Sequence, residues 1–310
     1  MSGDDLSSAI RRGVGFLADR QLSYGEIRTV RAEDRALEQN PVFDSSPYAT
    51  TYVLYSLGFV RDPAVAAIER RAREFLADEM EPPGVWRYYS SRNPKILPPD
   101  LDDTACAALV LRPHLDQIRQ GLHFRIFLAN RDREGRFRTF LADGGNSVDA
   151  VVNANVVCYL GEREETRAAC DFLRRFVLGR REGETSIYGV DELSLYYVLS
   201  RAYFQGAKGL ADCAAPILDA LFSRQGRDGS FGDEISTAFA LATLANFEIR
   251  ESEKSERVDR AASWLAAQQR ADGSWPRAAF YIDFGGGYYG SEELSTAFAL
   301  EALARTAPLA

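Results

Sequence analysis

Histidine is nearly absent from this chain: His114 and His123 are the only two in 310 residues. A zinc site resting on imidazoles, or a Ser-His-Asp triad, therefore has almost nothing to be built from. The four cysteines (Cys106, Cys158, Cys170 and Cys213) include no Cys-x-x-Cys pair. In a chain of this length they read as reduced, buried thiols rather than a disulfide framework. No run approaches ~18 uninterrupted apolar residues, so no membrane span is expected. There is also no tract rich in Lys and Arg, and the net charge is −8. The field of such a chain repels phosphate, which argues against a nucleic-acid partner. The acidic start, Met1 to Asp5, lacks a basic region followed by an apolar run, so no signal peptide is expected and the cytoplasm is the default address.

What the sequence does have is internal repetition. Ile235 to Ala245 returns as Leu294 to Ala304, both beginning with an apolar residue followed by Ser-Thr-Ala-Phe-Ala-Leu. Upstream of each copy a helical segment ends in glutamine and is followed by an Asp-Gly-Ser-aromatic turn. These are Gln225 with Asp228 to Phe231, and Gln269 with Asp272 to Trp275. Segments near 4–20, 63–80, 114–129, 163–178, 212–224 and 256–270 carry mixed charge with apolar residues at helical spacing. Between them, segments near 45–60, 101–112, 149–160, 191–204, 234–247 and 292–305 are almost free of Lys and Arg and apolar nearly all round. A helix apolar on every side is buried on every side. Six amphipathic helices alternating with six buried ones predict an all-α (α/α)6 toroid, an outer ring around an inner one with a central pore, as a single domain over 1–310. No strand signal competes, since alternating runs are short and confined to connectors. The connectors 84–99 and 276–291 are rich in aromatics, and loops of that length are commonly functional.

In such a toroid the inner helices run parallel, so their N-termini gather at one mouth. Acidic residues stand at nearly all of them: Asp44, Asp100, Asp149, Asp191, Asp233 and Glu292 among others. Most are explained as helix caps. The string Asp100 to Ala105, Asp-Leu-Asp-Asp-Thr-Ala, is denser than capping asks for. Three carboxylates this close push at least one proton affinity upward, keeping one acid protonated near neutrality. The helix N-terminus then stabilises the anion once the proton has left. Asp102, central in the cluster, is the natural donor to a very weak base.

This string, together with the Gln-x-x-Asp-Gly-Ser-Trp/Phe elements, resembles the squalene–hopene cyclase group of class II terpene cyclases. The repeat likeness runs along nearly the whole chain and is strongest from 214 to 305. The resemblance implies that Asp102 protonates a terminal alkene or epoxide of a polyprenyl or meroterpenoid substrate, with Asp100 and Asp103 supporting and Thr104 as motif neighbour. It implies structural roles for Gln225, Phe231, Gln269 and Trp275. Members of that group have two toroidal domains and about twice this length, so here the cavity is expected within one pore or at an oligomer contact. In place of the group's usual histidine partner, Asn153 or Asn155 on the adjacent inner helix could orient Asp102, since amides in so apolar a helix need partners. Walls that stabilise a carbocation are expected from aromatic faces, with Phe43, Tyr48, Trp86, Tyr88, Tyr89, Tyr196, Tyr197, Tyr288 and Tyr289 as candidates.

Two rivals remain open. An (α/α)6 glycosidase could use two mouth carboxylates as acid and base, and a non-catalytic toroid could bind an isoprenoid or a partner helix with the aspartates as caps. A prenyltransferase zinc site fails for want of ligands, the Asp-Cys string occurring once, at Asp212-Cys213, with no suitable histidine following. No Asp-Asp-x-x-Asp string occurs, so class I ionisation of a diphosphate is not expected. No cofactor or metal is expected. Mg2+ would enter only with a diphosphate head group, held by Glu33 and Asp34 with Arg28, Arg31 and Arg35. A polyprenyl substrate is compatible with peripheral contact with a membrane.

Overall fold

A computed structural model describes residues 3–142, 147–179, 188–248 and 252–306. The alternation of amphipathic and wholly apolar segments is realised as twelve α-helices among the described residues. The outer set is α1 (Gly3–Arg20), α3 (Val65–Asp78), α5 (Gln117–Ala129), α7 (Arg167–Leu178), α9 (Ala214–Arg224) and α11 (Ser252–Ala267). The inner set is α2 (Pro47–Leu57), α4 (Leu101–Leu111), α6 (Ala150–Leu160), α8 (Glu192–Phe204), α10 (Glu234–Asn246) and α12 (Glu292–Thr306). Each inner helix packs on the next, α2 on α4, α4 on α6, and so round to α12 on α2, which closes the ring. Every residue of α2 and α6 is buried, as an all-apolar helix requires. Among the described residues no helix is long and apolar enough to cross a membrane.

One structural device recurs around the ring. The aromatic or aliphatic residue after each turn offers its backbone N–H to a side chain early in the next inner helix. Ile27 donates to Thr50, Trp86 to Thr104, Phe137 to Asn153, Phe231 to Thr237 and Trp275 to Thr296, all at 2.9–3.1 Å. The glutamines stitch the outer ring in the same repetitive way. Gln225 donates to the Gly229 and Arg257 carbonyls, Gln269 to those of Gly273 and Ala9, and Gln21 to those of Gly25 and Ile68. Gly273 lies at φ +91°, and a Cβ there would stand 2.4 Å from the Arg12 carbonyl oxygen, so this turn needs glycine.

Two expectations are corrected. Strands do form: β1 (Val30–Ala32), β2 (Val42–Phe43), β3 (Ala278–Ile282) and β4 (Tyr288–Ser291) make an antiparallel sheet of order β2-β1-β4-β3. The pieces are too short for alternation to register in the sequence, and their pairing joins residues from opposite ends of the chain. The centre of the ring is also not an open pore. Away from the mouth it is filled by Arg201, whose guanidinium lies 4.4 and 4.1 Å from the Tyr52 and Tyr55 rings. Glu301 is beside it, accepting from Ser56, Tyr197 and Arg305.

Candidate active site

At the mouth, where inner-helix N-termini meet the 84–99 connector and the β3–β4 hairpin, lies a cavity of about 310 Å³. This is the lower end of the range of small-molecule sites. Aromatic side chains dominate its wall, and its charged lining residues are Asp100, Asp102, Asp103 and Asp283.

Local chemistry sets the three clustered aspartates apart. Asp100 has extended backbone and accepts the Asp103 N–H at 2.7 Å, so it is the N-cap of α4. Its carboxyl is pushed up to about 6 by burial, against the bonds it receives from Asp103. Asp103 is pushed well above the carboxylate range, first by burial and then by Asp100 beside it. One of its oxygens is buried without a partner, and burial beside Asp100 favours the protonated form of its carboxyl. Asp102, one residue into the helix, projects into the cavity and is pushed up to about 7 by burial and by the neighbouring Asp100 charge. Hydrogen bonds from Asn155 and Tyr48 restrain that rise. Asn155 Nδ2 donates to Asp102 Oδ1 at 2.7 Å and also to the Tyr52 hydroxyl at 3.0 Å, and Tyr52 in turn meets Tyr48. An acid near neutrality, with one oxygen held and aromatic rings around it, can give its proton to something that offers only π electrons.

The expected residues divide. Tyr48, Tyr88, Tyr89 and Tyr289 line the cavity with the three aspartates. Asn155 reaches Asp102 from the layer behind, whereas Asn153 is taken up by Phe137 and Asp149 backbone groups. Thr104 likewise serves Trp86 rather than substrate. Trp86 is fully buried and donates its indole N–H to the Leu76 carbonyl, just as Trp275 donates to that of Leu265. It is a second repeat tryptophan, outside the cavity. Tyr197 is bound to Glu301 below, Tyr196 lies buried away from the cavity wall, and Tyr288 packs near Ala32 and Leu37. Phe43 is 52% exposed on the edge strand β2, where nothing turns it inward. Neither histidine approaches Asp102. His123 bridges the Tyr159 hydroxyl and the Gly84 carbonyl, and burial lowers its pKa.

Sequence reasoning missed Phe140, Tyr188, Phe280 and Tyr281, which also form the wall. Tyr281 joins Tyr88 hydroxyl to hydroxyl at 2.8 Å and stacks on Tyr289 at 5.2 Å, so the hairpin and the 84–99 connector are one aromatic surface. The Glu33 and Asp34 cluster does not gather. Asp34 closes a turn over Glu38 and Gln39, Arg31 goes to Asp283, and Arg35 to Asp191. Among the described residues no three His, Cys, Asp or Glu side chains are grouped to hold a metal.

No family model and no curated protein matches the sequence. Solved structures do match in shape. A protein from Actinoplanes is 21% identical, with 98% of this chain and 100% of that one covered at a TM-score of 0.79. Type II terpene cyclase MstE from Scytonema is 19% identical, with 99% of each chain covered at 0.79. The ent-copalyl diphosphate synthase from Streptomyces platensis is 20% identical over 84% of this chain and 50% of its own, at 0.62. The chain thus has the (α/α)6 toroid fold that the type II terpene cyclase MstE also has.

Proposed function

We propose that this protein is a class II, proton-initiated cyclase of a polyprenyl or meroterpenoid substrate. The observation that carries the reading is Asp102, a carboxylic acid poised at about 7 in an apolar, aromatic cavity. Asn155 holds Oδ1 and so orients the carboxyl that gives its proton to the substrate. A terminal alkene takes that proton through its π pair, forming a C–H bond and a tertiary cation. For an epoxide, the oxygen takes the proton and the C–O bond opens. Further alkenes close on the cation, each trading a π bond for a C–C σ bond, until a proton is lost. Asp100 and Asp103 flank the acid, and in this buried site like groups so close resist a further negative charge. The faces of Tyr48, Tyr88, Tyr281 and Tyr289 stabilise the migrating cation.

MstE, similar in fold, has been solved in complex with geranylgeranyl dihydroxybenzoate as substrate, which favours an isoprenoid joined to an aromatic head over a sugar. Three basic groups near the mouth are already paired, Arg31 with Asp283, Arg35 with Asp191 and Lys95 with Asp44. This supports a substrate without diphosphate. Incubating the protein with polyprenyl arenes and reading products by mass tests the reading. Asp102→Asn should keep its circular dichroism and lose turnover by about 10²–10⁴-fold, while wild-type turnover should survive EDTA. An Asp102→Asn protein that still cyclises removes the assignment, and turnover abolished by EDTA and restored by Mg2+ points to a prenyl diphosphate.

A further inference from the structure

The β3–β4 hairpin runs from solvent to the floor of the cavity. Phe284, at its turn, is 64% exposed, while Phe280, at the other end of the same cavity wall, is buried. In a regular strand neighbouring side chains face opposite ways, yet Phe280 and Tyr281 both face the cavity. The pairing explains it. Ala279 sits opposite Gly290 and Tyr281 opposite Tyr289, so Phe280 has no partner and is the extra residue of a β-bulge. Gly290 permits this, since a Cβ there would lie 2.0 Å from the Ala278 carbonyl oxygen. Ala279 stays on the far side, with Ala32 and Leu37.

The bulge places the Phe280 ring parallel to Tyr48 at 6.4 Å, the same Tyr48 that bonds Asp102. Under Phe280 lie Tyr52 at 4.7 Å, Phe298 at 4.9 Å and Phe239 at 5.6 Å, none of which lines the cavity. Phe280 is thus the ring that separates the cavity from the packed interior of the toroid, beside the proton donor. We infer that Phe280 is the specificity-determining residue for isoprenoid chain length, the stop against which the inner end of the chain rests. The ring that Phe280→Ala removes has six carbons, close to one five-carbon isoprene unit, so the floor should drop by about one unit toward Phe239 and Phe298. This inference rests on the isoprenoid reading of the cavity but not on the acid chemistry.

The test uses phenols carrying two, three or four isoprene units, each as the alkene for turnover and as the fully saturated chain for binding by calorimetry. Saturated chains cannot be protonated, so binding is read independently of catalysis. For Phe280→Ala, kcat/KM and affinity for the chain one unit longer than the wild-type preference should rise relative to the preferred chain by about tenfold or more, the scale of discrimination that extra methylenes give in an apolar pocket. Phe280→Trp should shift the preference toward shorter chains, and Phe43→Ala, on the exposed edge of the same sheet, should leave it unchanged. If Phe280→Ala does not fold, Phe280→Leu and Phe280→Trp carry the same comparison. A folded Phe280 variant that keeps the wild-type order of chain lengths in both measurements overturns the inference. Shifted binding without any wild-type turnover upholds it and removes the cyclase reading. Turnover without a shift does the reverse.

Discussion

Helices α4 and α10 begin alike and end up with different work. Asp100 and Asp233 both cap, accepting the N–H of Asp103 and of Ser236. Thr104 and Thr237 both receive the backbone N–H of the preceding aromatic residue. Between them, α10 has the apolar Ile235 and α4 has Asp102, where α6, α8 and α12 have Val151, Leu193 and Leu294. Four features of the Asp-Leu-Asp-Asp-Thr-Ala string are thus unequal in meaning. The cap and the threonine are repeat furniture. The cap serves the helix's orphan N–H groups. The threonine, also found in α2, α10 and α12, serves the N–H of the preceding turn residue. Asp102 is the departure, a carboxyl placed where the repeat asks for a hydrocarbon, and Asp103 stands where α10 and α12 have serine.

Exchanging the differing residue puts this contrast under most strain. Asp102→Ile should fold and lose cyclisation by the full ~10²–10⁴-fold attributed to a positioned acid. The reverse change, Ile235→Asp, should give no gain of function and should lower the melting temperature, because it buries a carboxyl with no prepared partners. An Asp102→Ile protein that still cyclises would break the comparison outright. Next in size are the two tryptophans. Trp86→Ala and Trp275→Ala should each cost about 3–5 kcal/mol by denaturant unfolding, with the product unchanged, since both rings are fully buried behind the inner helices. An unaltered melting temperature with a new product from Trp86→Ala would return that ring to the cavity wall.

Stability should also depend on pH in a direction the cavity sets. The Asp102 carboxyl goes from an ordinary 3.8 to about 7 on folding, so between those values the folded state holds more protons than the unfolded one. Stability from this group is complete below about pH 4 and is lost as pH rises through 7. A rise of that size corresponds to about 4 kcal/mol as an upper bound. Asp102→Asn should flatten this part of the stability profile, and an unchanged slope in that variant would show that the acid is not perturbed. The smallest effect is expected from Thr104→Val, which strands the buried Trp86 N–H and should cost about 1–3 kcal/mol. Turnover per folded molecule should persist. Turnover lost with full stability would make Thr104 part of the chemistry and dissolve its likeness to Thr237.

Much of the molecule was legible because it is local. Helix bounds, caps and the alternation of outer and inner rings follow from residues a turn or two apart, and the six-fold count follows from repetition. Asp102 could be singled out because like charges crowd within four residues. The partner of that acid was narrowed to two amides, and only packing chose Asn155, because Asn153 faces the Phe137 backbone instead. The aromatic wall was the least legible part. Phe43 and Trp86 are aromatic like Phe280 and Tyr88, and nothing in their neighbours says which way each ring points.

The sequence by itself therefore determined a closed ring of helices and an acid at its mouth, since periodicity and capping act within single segments. Tertiary structure decided the filled centre, the sheet and the cavity wall. Those depend on contacts such as Tyr88 to Tyr281, 193 residues apart, and on a bulge at Phe280 that exists only once β3 has paired with β4. Register across strands is a property of the pair, and neither strand alone contains it.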